Sequence, residues 1–127
     1  MKVTTRARVF GEATAATQFV FQSADGVRRR VTLRVGKPYK RSSREWACPA
    51  EIRGFERRYP DMSGANSIQA LCLAIAVVRS RVEDFINKGG RLFDVSGREE
   101  WDPMGVSAMF GLGQSMITAP RRSRKRR

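Results

Sequence analysis

The chain contains no histidine. That absence removes imidazole as a general base, as a proton switch near neutral pH and as a metal ligand, and with it the nucleophilic triads built on histidine. Only two cysteines occur, Cys48 and Cys72, too few and too far apart for a disulfide scaffold or a CxxC zinc or redox motif. Acidic residues are scarce: 12 Asp plus Glu stand against 25 Lys plus Arg, a formal charge of +13, which disfavours a basic partner. Long apolar runs are missing too. The longest, residues 70–78, spans nine positions, about half of the ~20 that a membrane-crossing helix needs. No apolar stretch of signal-peptide length follows the basic opening Met1-Lys2-Val3-Thr4-Thr5-Arg6. These absences predict a soluble, cytoplasmic protein with reduced thiols and no membrane partner.

What is present is enough for one core. At 127 residues and 41% hydrophobic content, the chain suits a single domain, read here as residues 1–117 followed by a basic tail over 118–127. The charge is unevenly placed. Residues 1–60 hold 14 basic and 5 acidic side chains, residues 61–120 hold 5 and 7, and the last seven positions add six cations. Such asymmetry is expected when an anionic partner is met on one surface.

Residues 6–10 and 17–22 read as short strands. From 27 to 35 the pattern alternates: Val27, Val31, Leu33 and Val35 on one face, Arg28, Arg30, Thr32 and Arg34 on the other, with Arg29 intruding on the apolar set. Asp25-Gly26 before it is a type I′ hairpin signal, making its flanking strands antiparallel neighbours. A fourth strand is expected over 45–52, with Trp46, Cys48, Ala50 and Ile52 on one face and Pro49 marking an edge or a bulge. Residues 37–44 and 54–64 have loop composition. A long helix follows, capped by Asn66 with Gln69 returning a bond, carrying Ile68, Leu71, Ile75, Val78, Val82, Phe85 and Ile86 at helical spacing, and stopped at Gly89. From Ser67 to Lys88 it would run about 33 Å. Residues 91–95 and 98–101 suggest a small hairpin or fifth strand, and Asp102-Pro103 opens a short helix. The expected class is α+β: an antiparallel sheet of about four strands packed on one long helix, with a short C-terminal helix.

The row Arg28, Arg30 and Arg34, joined by Arg6 and Arg8, forms a guanidinium-rich face suited to phosphate, since the planar fork pairs two oxygens and each neutralised phosphate releases counterions. The alternative is the solvated outer face of a one-sided sheet. In the tail, Arg121, Arg122, Arg124, Lys125, Arg126 and Arg127 repel one another into a disordered arm that suits nucleic acid without reading its sequence, or merely solubilises the chain. Phe19 and Phe21 share a parity that faces the core rather than stacking bases. Cys48 and Cys72 read as inert core thiols. Asp94, Glu99, Glu100 and Asp102 lack the spacing of a calcium loop, and no phosphate-loop glycine pattern is present. No catalytic residue, metal site, cofactor or small-molecule substrate is read, and an enzyme ranks last. The helix stretch 70–78 is apolar all round, so a second layer must cover it, either residues 104–117 or a second copy of the chain.

Three groups of residues carry a resemblance. Trp46-Ala47-Cys48-Pro49 with Ile52 and Gly54, then Gln69-Ala70-Leu71-Cys72-Leu73-Ala74, then Lys88-Gly89-Gly90-Arg91-Leu92, together resemble a family of small uncharacterised bacterial proteins known only as a domain of unknown function. The resemblance covers about residues 27–95 and not the basic tail. It implies a bacterial or phage source and an α+β fold, and no activity. The resulting expectation is a non-enzymatic binding module whose basic surface and tail engage an anionic partner, nucleic acid first. The alternative is a protein-interaction or assembly subunit, a homodimer or partner complex, using the apolar face of the 67–88 helix.

Overall fold

The hairpin formed by β1 (Ala13–Gln22) and β2 (Arg28–Gly36) organises the computed structural model, which describes residues 10–111. Alternation sorts its side chains. Phe19 pairs with Val31 and Thr17 with Leu33, and Phe19, Phe21, Val31, Leu33 and Val35 are buried on one side while Arg28 and Arg30 stand exposed on the other. Phe19 and Phe21 face the core, as their parity required. The hairpin loop is not type I′, which needs positive φ at both central residues. Only Gly26 adopts it, at +93°, and the Ser23 and Gly26 N–H groups close the loop by donating to Val27 O and Ser23 O, both at 2.9 Å.

The strands that follow are β3 (Tyr39–Ser42), β4 (Glu45–Cys48), β5 (Ala50–Arg53) and β6 (Met62–Gly64), before helix α1 (Ser67–Asn87), strands β7 (Arg91–Phe93) and β8 (Glu100–Trp101), and helix α2 (Pro103–Met109). The class is α+β, with more strands than the four expected: an antiparallel sheet ordered β5-β2-β1-β7-β8 and a smaller one ordered β3-β4-β6. The single strand expected over 45–52 is two. Pro49 has no N–H to give to a ladder, and it divides β4 from β5 and sends them to different sheets, while its carbonyl accepts the Gly36 N–H at 2.8 Å. Segments of loop composition became β3 and β6 because both pair with β4, a tertiary effect that local propensity does not carry. β1 reaches back to Ala13 for the same reason: β2 continues to Gly36 and offers it partners. The strand expected over 6–10 lies outside the described residues except for Phe10.

Helix α1 starts as its cap residues dictate. Asn66 Oδ1 accepts the Gln69 N–H at 2.8 Å, and Gln69 Oε1 returns to the N–H of Ala65 at 2.6 Å, one residue earlier than expected. Gly89, at φ +96°, ends it. The buried apolar stripe is Ala70, Ala74, Val78, Val82 and Ile86; of the set expected, Val78, Val82 and Ile86 lie in it, Leu71, Ile75 and Phe85 pack beside it against the core, and Ile68 is 72% exposed. Small residues face the sheet because the helix comes close there. A Cβ on Gly64 would lie 2.6 Å from the Ala70 backbone nitrogen. At the other end, Phe21 and Phe85 stack at 4.4 Å with Phe55 edge-on to both, each pair contributing about 0.5–1.5 kcal/mol beyond burial. Arg29, the residue that broke the pattern, pairs with Phe21 at this end of the hairpin and donates to Gly54 O at 3.2 Å.

The side of α1 away from that stripe keeps exposed residues. Val106 of α2 is fully buried and Met109 and Phe110 pack on the core, but Cys72 and Leu73 remain exposed. Cys72 is therefore not the core thiol expected. It points away from the stripe that its neighbours Ala70 and Ala74 occupy. Cys48 is buried, donates to Gly36 O at 3.3 Å, and its thiol is pushed up to about 11 by burial and by the nearby Asp61 carboxylate. Titration of the native protein with a thiol reagent at pH 8 should find one fast equivalent, lost in Cys72→Ser, with the second appearing only on denaturation.

The segment between β5 and β6 is pinned to α1 by charge. Arg81 holds Glu56 bidentately at 3.1 and 2.5 Å, and the Tyr59 hydroxyl also donates to Glu56. These bonds, the Arg81 guanidinium first, lower the Glu56 pKa. A carboxyl lowered in the folded state adds stability that is complete above its unfolded pKa, about 4.3, and is lost as pH falls through the folded value. Glu56→Gln should cost about 1–3 kcal/mol at pH 7, with the difference from the parent shrinking below pH 4 in denaturant unfolding followed by circular dichroism.

Candidate nucleic-acid interface

Strand register decides which cations share a surface. On the outer face of the five-stranded sheet, Arg28 lies beside Gln22 and, across β1, Arg91. Arg30 lies beside Val20 and Phe93, Thr32 beside Arg53, and Arg34 beside Glu51. Phe93 pairs in turn with Glu100. Arg28, Arg30 and Arg34 therefore do line one face, as the alternation predicted, and the register adds Arg53 and Arg91 to it. Arg53 directly follows buried Ile52 and so takes the outward parity, a signal present in the alternation of the strand. Arg91 depends on how β7 docks, which no local pattern shows.

The five guanidinium groups differ in what holds them. Arg34 is a structural cation: its side chain is 15% exposed, Nη1 lies 2.8 Å from Glu51, Nη2 donates to Gly11 O at 2.8 Å, and its plane covers the Phe10 ring at 4.3 Å. Glu51, buried within the sheet, also meets Arg53 at 3.4 Å, yet the Arg53 side chain is 66% exposed. Arg91 pairs with Glu100 at 2.6 and 3.1 Å. Arg28 donates to Gln22 Oε1 at 2.8 Å and to Gly97 O at 2.7 Å, and lies 4.1 Å above the Phe93 ring. These bonds leave its charge uncompensated and fix its direction. Arg30 is exposed, with no hydrogen bond or ion pair among the described residues. Arg28, Arg30 and Arg53 thus form the open part of the face, and Phe93, an outward aromatic, is buried beneath the cations rather than offered for stacking.

The described residues hold 16 of the 25 basic side chains and all 12 acidic ones. Arg6, Arg8, Arg121, Arg122, Arg124, Lys125, Arg126 and Arg127 lie outside the described residues. The acidic cluster expected near the second hairpin serves the backbone. Asp94 accepts from the N–H groups of Arg98 and Glu99 at 3.2 and 3.3 Å and from Ser96 Oγ at 2.7 Å, which holds its carboxyl below the usual range. Asp102 caps α2 through the Gly105 N–H at 2.8 Å. No group of three or more metal-ligating side chains occurs among the described residues, and no helix among them is long and apolar enough to cross a membrane.

The family described as a domain of unknown function (DUF6968) matches residues 17–102. The chain belongs to that family. The matched stretch runs from within β1 through β8, wider than the residues that carried the resemblance, and it contains all five outer-face arginines while the basic tail falls beyond it. No curated protein and no solved structure matches the chain.

Proposed function

We propose that the outer face of the main sheet binds a polyanion, nucleic acid first, and that the chain acts as a non-enzymatic binding module. One observation carries the reading: five arginines share this face with two glutamates, and Arg28, Arg30 and Arg53 present exposed guanidinium groups from neighbouring strands. Strand neighbours lie about 4.8 Å apart, so these groups are close enough for one backbone to meet more than one of them. Pairing with phosphate is bidentate and releases counterions, and it reads charge rather than base identity. The tail cations from Arg121 to Arg127 belong to the same reading as an added, sequence-independent attraction. A bacterial cytoplasm is the setting it implies, in which an exposed Cys72 stays reduced.

The test is binding of a fluorescent single-stranded or duplex oligonucleotide across a salt series. Affinity should fall steeply from about 50 to 200 mM salt. Arg30→Ala and Arg53→Ala should each weaken binding and lower the salt slope by about 0.9 per lost phosphate contact, whatever the base sequence. Removing residues 121–127 should weaken binding further while the effect of Arg30→Ala persists. Binding insensitive to salt, or lost with the tail and indifferent to both sheet variants, contradicts the reading.

A further inference from the structure

A cavity of about 330 Å³ opens at the loop end of the β1–β2 hairpin, on the inner side of the sheet. That is the size of a small-ligand pocket. The aromatic trio that closes this end of the core, Phe21, Phe55 and Phe85, supplies its apolar wall, and Phe55 and Phe85 are partly exposed. The rim is polar, with Ser23, Asp25 and Arg29 around it and Val27 between them. Both charges are exposed, and no ion pair joins them among the described residues. Each is anchored instead by neutral groups. Arg29 Nη1 donates to Gly54 O at 3.2 Å, and Asp25 accepts from the Ser23 hydroxyl, which holds its carboxyl below the usual range and so ionised at neutral pH. Ser23 is itself fixed, its N–H donating to Val27 O at 2.9 Å and its Oγ accepting the Val27 N–H at 3.2 Å. Both ends of the described chain lie toward the opposite end of the hairpin, where Phe10 meets Arg34 and Phe110 meets Ala15 and Ala16.

Opposite charges over an aromatic wall, unpaired with each other, select the occupant. A lone phosphate or carboxylate would meet Asp25 across the opening, a lone cation would meet Arg29, and a purely apolar ligand would strip water from both. All three surfaces are satisfied by a flat ring system with an acceptor edge next to a donor edge. Guanine is such a body, since O6 and N7 accept from a guanidinium fork while N1–H and the N2 amine donate to a carboxylate. Adenine sets a donor beside N7 where Arg29 requires an acceptor, and cytosine and thymine have no donors on neighbouring nitrogens for Asp25. We infer that this cavity binds a guanine base, with Arg29 on its acceptor edge, Asp25 on its donor edge and the phenylalanine rings against its plane. The base comes from a free nucleoside or nucleotide, or from an unpaired position in a strand. In the second case the inference rests on the polyanion reading of the sheet face and deepens it: Arg28, on the outer face, adjoins Arg29, so a backbone held there lies at the same end of the hairpin as the cavity.

Uncharged guanosine, titrated to millimolar concentration into the full chain, tests the cavity without any phosphate. Amide shifts in a proton–nitrogen NMR spectrum should saturate at Asp25, Val27, Arg29 and Phe55, with adenosine and thymidine binding about tenfold more weakly or worse. Asp25→Asn and Arg29→Gln, both at exposed positions, should each abolish that preference while amides elsewhere keep their shifts. In the second arm, a thymine-only strand is compared at one salt concentration with the same strand carrying one central guanine. The guanine strand should bind about tenfold more tightly, and both variants should remove the difference and leave the dependence on salt in place. Guanosine that leaves the four amides unmoved, or that moves them no more than thymidine does, overturns the inference, as does a preference that survives both variants. Salt-dependent strand binding with none of the guanosine response leaves the sheet face standing and the cavity refuted. Selective guanosine binding by a chain that binds no strand supports the cavity as a site for the free nucleoside or nucleotide and refutes the sheet face instead.

Discussion

A slip of β1 against β2 by one residue would turn Phe19 and Phe21 toward solvent or drive Arg28, Arg30 and Arg34 toward the core. Either outcome is costly. Each buried Phe or Val contributes about 1.5–3 kcal/mol, and an unpaired charge inside the protein costs several more. The register is therefore held from both faces at once, by apolar residues that must be in and cations that must be out. The placement of the outer-face arginines follows from that constraint. Ile52 and Leu92 continue the inner layer on the flanking strands, so Arg53 and Arg91 are carried to the outer one.

Compensation within the protein then divides the cations by role. Glu51 and Glu100 neutralise much of the charge of Arg34 and Arg91, and Phe93 lies under two guanidinium planes, Arg28 and Arg91. These contacts build a rigid platform on which Arg28 is oriented by carbonyl and amide oxygens rather than by a carboxylate. A side chain held in this way keeps its charge available and loses little conformational entropy on meeting a phosphate. The formal charge of the chain overstates this platform, because every acidic residue lies within the described part and nine cations lie outside it.

Local pattern carried part of the architecture to the reader and left part hidden. The β1–β2 hairpin, the start and stop of α1 and the cap of α2 were legible because alternation, Asn66, Gly89 and Asp102-Pro103 act within a few residues of themselves. β3 and β6 were not, since each exists through pairing with β4. The helix stripe was legible in part: Val78, Val82 and Ile86 are buried and Leu71, Ile75 and Phe85 pack against the core, but Ile68 is exposed and close approach at Gly64 adds Ala70 and Ala74. Cys72, between those two small residues, lies on the exposed side. In the candidate interface, Arg28 and Arg30 were visible from parity alone. The burial of Arg34 was invisible because Glu51 and Phe10, which hold it, come from distant positions.

The hairpin register is open to direct measurement by proton NMR of the full-length chain, through nuclear Overhauser contacts between backbone protons across β1 and β2. Contacts joining Phe19 to Val31 and Thr17 to Leu33 are the outcome required by a sheet with apolar residues inside and arginines outside. Contacts displaced by one residue, Phe19 to Thr32 and Thr17 to Arg34, would put the guanidinium groups on the core side and leave the proposed surface without its cations.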